Sequence, residues 1–389
     1  MTTVADLPRP ADPALLPEPS TPRKLGFRPA LEGLRGVAFV MVFLDHTRWV
    51  PRLQFGGVAM YLFFGLSGFL VTAQLVTRAG SDGRVDLRRF ASARIRRIGP
   101  ALALLLGVWL VVIALFPHAS WTTTTPGGGS PGPTQLAVAL KGVAGAGALL
   151  TNWLDIFGLY GGRFPLGHLW FIAVQEQLYL VWIPVLALLL WRFRRLVAPV
   201  ALTLAAVSLV EAMVLMHGGT NWLRIYAGPD TRATALLLGS AAAMWWGEGR
   251  FDRLGRPIVR SLVTMVAIAG LAWSLVALSA HRASLEQSAG WIVATVTGPL
   301  LVVALVVGAG AVGRWLSSRV LVHVGSRSYA LYLWHYVWLT WFAAAGVLGV
   351  VGALLASLVC AEISWWSVER PTRRAPLRER RPMPVGTPG

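Results

Sequence analysis

Eleven apolar stretches, each close to 20 residues long, follow one another along this chain. They fall near 31–50, 57–77, 98–116, 136–152, 169–190, 197–217, 231–248, 261–280, 290–312, 328–344 and 346–366. About 20 apolar residues in helical form span the hydrocarbon core of a bilayer, and a helix satisfies its backbone hydrogen bonds internally. The pattern therefore predicts an all-α, polytopic membrane protein. Only short Arg-rich or Gly/Pro-rich breaks separate the stretches. Charged residues make up 13% of the 389 positions, against about 25% in soluble domains, too few to coat a water-facing surface.

The basic residues decide which stretches cross. If 136–152 stays out of the count, 27 of the 35 Lys and Arg residues fall on one side of a ten-helix frame. If it crosses, everything after it inverts and 16 arginines change sides. Basic residues collect in cytoplasmic loops, so the sequence predicts ten transmembrane helices with both termini cytoplasmic. The Gly/Ala-rich 136–152 run, which carries Lys141, is then re-entrant or interfacial. The same rule explains the formal charge of +18 without nucleic acid. Three regions are expected. Residues 1–30 form a Pro-rich disordered cytoplasmic tail, 31–369 the membrane domain and 370–389 a basic cytoplasmic tail, with no soluble appendage. Cys360 is the single cysteine, so neither a disulfide framework nor a cysteine metal site is expected, and nothing in the chain requires a metal.

Ionisable groups inside spans cost at least a few kcal/mol each and so face protein or water. The first span holds Arg35, Asp45 and His46. Eleven residues separate Arg35 from His46, which puts them on one helical face roughly 16 Å apart. His46 is either a histidine satisfied near the outer interface or a general base for a hydroxyl proton. Arg94 and Arg97 stand at the inner start of the third span. They serve either topology or a phosphate-bearing ligand, which guanidinium groups bind as a fork. Farther on lie Glu176 and Tyr179, then Asp230 and Arg232, then Tyr332 and His335. The paired glycines and Gly65, Ser67 and Gly68 of the second span read as close helix packing.

Taken in order, these segments resemble the acyltransferase-3 family of multi-spanning membrane acyltransferases, from about Gly33 to Arg370. The matching pieces begin with Arg35 and His46 ten residues apart in between, FFxxSGFL from Phe63, and RxxRIxP from Arg94. HLW at His168 with QLY at Gln177, the DTR segment at Asp230, YxLYLWH ending at His335, and ERP at Glu369 complete the set. The resemblance implies O-acyl transfer, often of acetyl from acetyl-CoA, onto a carbohydrate, glycosylated or lipid-linked acceptor at the cell membrane. It implies His46 as catalytic base, Arg35 as its essential partner, and Arg94 and Arg97 as contacts for the CoA phosphates. Glu176, Tyr179, Asp230, Arg232, Tyr332 and His335 are the candidate substrate contacts. In this reading acyl-CoA is a co-substrate and no cofactor is held. Two positions depart from the family pattern: Gln175 stands where Glu is usual, and Ala59-Met60-Tyr61 where Gly-Val-Asp is frequent. On composition alone, buried Arg, His, Asp and Glu also suit a proton- or anion-coupled transporter, although no two-fold internal repeat is visible.

Overall fold

A computed structural model describes residues 23, 25–50, 52–79, 82–116, 133–159, 166–281, 283–308, 310–342 and 345–374. Most of the Pro-rich N-terminal tail and the last 15 residues lie outside these. The described residues form α1 (Pro29–Thr47), α2 (Phe55–Arg78), α3 (Leu87–Leu115), α4 (Pro133–Gly147), α5 (Thr151–Ile156), α6 (Trp170–Arg192), α7 (Val197–His217) and α8 (Trp222–Ala227). They continue with α9 (Pro229–Gly247), α10 (Pro257–Ala277), α11 (Leu285–Val307), α12 (Gly310–Leu316), α13 (Arg319–Phe342), α14 (Gly346–Ser364) and α15 (Arg370–Arg374). Ten of these helices have 19 residues or more.

Seven helical segments are long and apolar enough to cross a membrane by length and composition; they contain α2, α3, α6, α7, α10, α11 and α14. The other three long helices, α1, α9 and α13, are the polar ones. They carry Glu32, Arg35 and Asp45; Asp230 and Arg232; and Arg319, His323 and Arg327. Polar groups cannot face lipid cheaply, and packing covers those of α1 and α9 at least in part: α9 lies against α2, α7 and α11, and α1 against α2 and α13, while Arg319 and His323 at the start of α13 are exposed. Missing side chains make these contacts possible. A Cβ on Gly68 would sit 1.9 Å from the Leu236 carbonyl oxygen, and one on Gly239 2.2 Å from that of Gly65, so α2 and α9 touch backbone to backbone.

Three boundaries differ from the hydropathy reading. The run 136–152 splits into the 15-residue α4 and the short α5 at Leu149, whose φ is 58°. At about 1.5 Å per residue α4 is some 22 Å long, short of the hydrocarbon thickness. The 290–312 run ends as a helix at Val307, and α12 follows from Gly310, whose φ of 52° suits glycine. Pro100 does not open the third span, because α3 begins at Leu87, where Asp86 caps it by accepting from the Arg89 N–H at 2.9 Å. Pro100 has no N–H to give the carbonyl four residues back. That carbonyl, on Arg96, instead accepts the Thr372 hydroxyl at 3.2 Å, which ties the C-terminal α15 to α3.

Candidate active site

Because the basic segment 88–97 is the first part of α3 rather than a loop, its arginines are held at fixed heights along a rigid helix. A cavity of about 880 Å³ opens beside it, between the starts of α1 and α13 and the end of α2. Arg28, Arg35, Arg96 and Arg97 line it against one carboxylate, Glu32, which accepts from Arg35 at 3.3 Å. Guanidinium groups offer fork-shaped donors, and four of them in one cavity wall suit an anionic ligand. Arg28 and Arg96 were not singled out from the sequence; each looked like one more cytoplasmic arginine.

Residues 25–28 form part of the cavity wall as a strap leading into α1. Its far end is pinned where Arg23 donates to both carboxylate oxygens of Asp252, at 2.7 and 2.9 Å. The Arg23 hydrogen bond holds the Asp252 carboxyl below its usual range. The pair is therefore intact above the ordinary carboxylate range and is lost as pH falls through the depressed value. It is exposed, so salt screens it over a Debye length of about 10 Å. Asp252→Ala is expected to raise the apparent KM for the anionic ligand of this cavity about 2- to 5-fold with little change in kcat. High salt should raise KM in both proteins and narrow the difference between them. Identical KM values at low salt would remove the strap from ligand binding.

Arg94 is placed differently from Arg97. Its Nε donates to both Glu176 carboxylate oxygens at 2.9 Å, and its guanidinium lies 4.3 Å from the centre of the Tyr179 ring. Arg97 lines the large cavity and Arg94 does not. Arg96 and Arg97 thus line the large cavity, Arg94 forms a buried ion pair between α3 and α6, and Arg94 and Arg97 together line a smaller neighbouring pocket. Glu176 and Gln175 do point apart, as their adjacency on a helix requires. Gln175 accepts a long hydrogen bond of 3.5 Å from Ser67, while Glu176 faces Arg94.

Beyond Arg35 the cavity continues inward. A second pocket of about 70 Å³ shares Arg35, Arg97, Ser328 and Tyr329 with the first. A third, of about 30 Å³, shares Phe63, Phe171 and Tyr332 with the second, and His46, Asp45, Trp170 and Tyr226 line it. The three pockets make one line from the arginines to His46. Arg35 and His46 sit in different pockets, roughly 16 Å apart along α1.

At the inner end of that line three histidines meet. His46 Nδ1 lies 2.9 Å from His335 Nε2, and His335 Nδ1 lies 2.7 Å from the Tyr332 carbonyl oxygen. His168 Nε2 is 3.2 Å from the Leu333 carbonyl, and the Tyr332 hydroxyl donates to the His168 carbonyl. Asp45 turns away from this cluster and accepts from the Gly56 N–H at the start of α2. Among the described residues no group of three or more His, Cys, Asp or Glu could hold a metal ion.

Asp230 and Arg232 are outside the line of pockets. Asp230 is paired with Arg224. Arg232, 3% exposed, donates to the Tyr226 carbonyl at 2.7 Å and the Tyr61 hydroxyl at 2.8 Å, and its guanidinium lies 4.2 Å from the Trp291 ring centre. This contact accounts for one of the two departures. Where the family pattern offers a carboxylate, Tyr61 and a set of aromatic faces receive the Arg232 cation instead.

Residues 28–366 match the family model Acyl_transf_3, described as an acyltransferase domain. The chain belongs to the acyltransferase-3 family. It accordingly carries the family's acyltransferase domain, in a chain with seven helical segments long and apolar enough to cross a membrane. Among curated relatives, YrhL of Bacillus subtilis is 29% identical over 371 residues, covering 90% of this chain and 55% of the relative. The peptidoglycan O-acetyltransferase OatA of Listeria monocytogenes is 27% identical over 367 residues, covering 89% and 56%. The O-acetyltransferase OatA of Staphylococcus aureus is 29% identical over 371 residues, covering 90% and 57%. The chain thus spans little more than half the length of these relatives. No solved structure matches it.

Proposed function

We propose that this acyltransferase-3 domain moves an acetyl group from acetyl-CoA to a sugar hydroxyl, through ten transmembrane helices whose two ends are cytoplasmic. The observation that carries the reading is the line of pockets from Arg28, Arg35, Arg96 and Arg97 to His46. A ligand with phosphates at one end and a reactive group at the end of a narrow arm suits such a shape, and acyl-CoA is built that way. The arginine end lies on the cytoplasmic side in this topology and His46 in the outer half of the bilayer. The donor would enter from inside and the acceptor from outside.

In this mechanism His46 takes the proton of the acceptor hydroxyl. The hydroxyl oxygen attacks the thioester carbonyl carbon, the C–S bond breaks, and the CoA thiolate leaves and regains a proton. Arg35 holds the arm of the donor rather than its carbonyl. The names of the Listeria and Bacillus relatives favour a glycan acceptor of the peptidoglycan type.

Purified protein in nanodiscs is expected to be thermally stabilised by acetyl-CoA and to release free CoA slowly, faster with an N-acetylglucosamine oligomer present. A protein neither stabilised by acetyl-CoA nor releasing CoA from it would rule out this donor and turn attention to transport.

A further inference from the structure

We propose that His335 is a positioning residue: it selects which nitrogen of His46 is left free to accept the hydroxyl proton. The inference rests on His46 being the base, as argued above.

The geometry runs one way. The Tyr332 carbonyl can only accept, so the 2.7 Å contact places a hydrogen on His335 Nδ1. The His335 ring is fully buried, and its aromatic neighbours include Phe39, Phe43, His168 and Tyr336 at 5.4–6.4 Å between ring centres; among the described residues no carboxylate forms an ion pair with it. A buried charge without a partner is costly, so the ring carries one hydrogen and its Nε2 is a bare acceptor. That Nε2 stands 2.9 Å from His46 Nδ1, so the hydrogen between them belongs to His46. His46 Nε2 is then the nitrogen with the lone pair, on a ring that lines the innermost pocket.

The backbone thereby sets the protonation pattern of the base through one intervening imidazole. The same contact serves the step that follows. Once His46 has taken the proton, its Nδ1–H bond to His335 becomes charge-assisted and shortens the climb to the charged intermediate. The support around it is stiff: Tyr332 and His335 are on one turn of α13, the Tyr332 hydroxyl is held by the His168 carbonyl, and the His168 ring stands edge-on to His335. Tautomer selection of this kind is a task usually given to a carboxylate. Here no acid is used, and a peptide carbonyl takes its place.

The test compares three variants with acetyl-CoA as donor and an N-acetylglucosamine oligomer as acceptor, reading CoA release. His335→Phe fills the site without an acceptor and is expected to lower kcat about 100-fold, with KM for both substrates changed less than about 2-fold, on the scale of general-base effects. His335→Gln reaches the position of Nε2 with an amide oxygen and should recover activity to within about 10-fold of the parent. His335→Asn reaches only the position of Nδ1 and should remain as low as His335→Phe. If His335→Phe fails to fold, the Gln and Asn pair still decides, because both are small polar amides differing in reach. Equal kcat in the Gln and Asn variants overturns the proposal. So does a raised acceptor KM at unchanged kcat, which would make His335 a substrate contact. Full activity in His46→Ala would instead overturn the assignment of the base itself.

Discussion

His46→Ala is expected to reduce acetyl transfer by about 10³-fold while acetyl-CoA still stabilises the protein. General-base catalysis contributes about 10²–10⁴, and about 10³ is the middle of that range. Tyr226 and Trp170 in the pocket that His46 lines are not basic enough to replace an imidazole at neutral pH. Binding should survive because the arginines of the large cavity lie at the other end of the line of pockets. The check is a pair of measurements on one preparation: CoA release and the thermal shift caused by acetyl-CoA. Loss of both would mean that the histidine holds the domain together. Loss of neither would take His46 out of the chemistry.

The second large effect concerns stability. Arg94 and Glu176 are 14% and 10% exposed at their side chains and are joined by several hydrogen bonds. Removing one partner of a buried pair leaves the other charge unpaired at a cost of about 3–5 kcal/mol, whereas replacing both by apolar groups can be neutral. Glu176→Leu and Arg94→Met are each expected to cost about that much. The double variant should recover most of the loss, giving a coupling of at least about 2 kcal/mol in a double-mutant cycle. Unfolding in mixed micelles measures it. Single variants within about 1 kcal/mol of the parent would show that water or lipid headgroups reach the pair. The activity of the double variant is informative in its own right, because both residues line the pocket that joins the arginine cavity to His46.

Much of the fold was legible because a bilayer reduces folding to the placement of apolar runs and basic loops. Excluding 136–152 anticipated a segment that forms two short helices. The same simplification hid Pro100, since hydropathy cannot say that α3 begins thirteen residues before it, in a stretch of arginines. At the site, the Arg35–His46 spacing put both on one helix, as the structure has them. The partners were not legible. Nothing local to Arg94 indicates Glu176, 82 residues away, and nothing near His46 indicates His335, 289 residues away. Arg232 shows the converse. Its DTR motif stands out in the sequence, while its neighbours Tyr61 and Trp291, brought to it by long-range folding, do not show there as its partners.

The contact between α1 and α13 also bears on how the protein is made. A Cβ on Gly325 would lie 1.7 Å from the Glu32 carbonyl oxygen, so these two helices fit as one unit. During synthesis α1 leaves the ribosome long before α13 exists, with α2 following at once to receive Asp45 but nothing yet on the Gly325 side. A segment that carries Glu32, Arg35 and Asp45 is a poor passenger for the lateral gate of an insertion channel. Its seat against α13 is made only when the last quarter of the chain arrives and His46 meets His335. A nascent chain halted before α13 therefore lacks the histidine pair on which the proposed base depends.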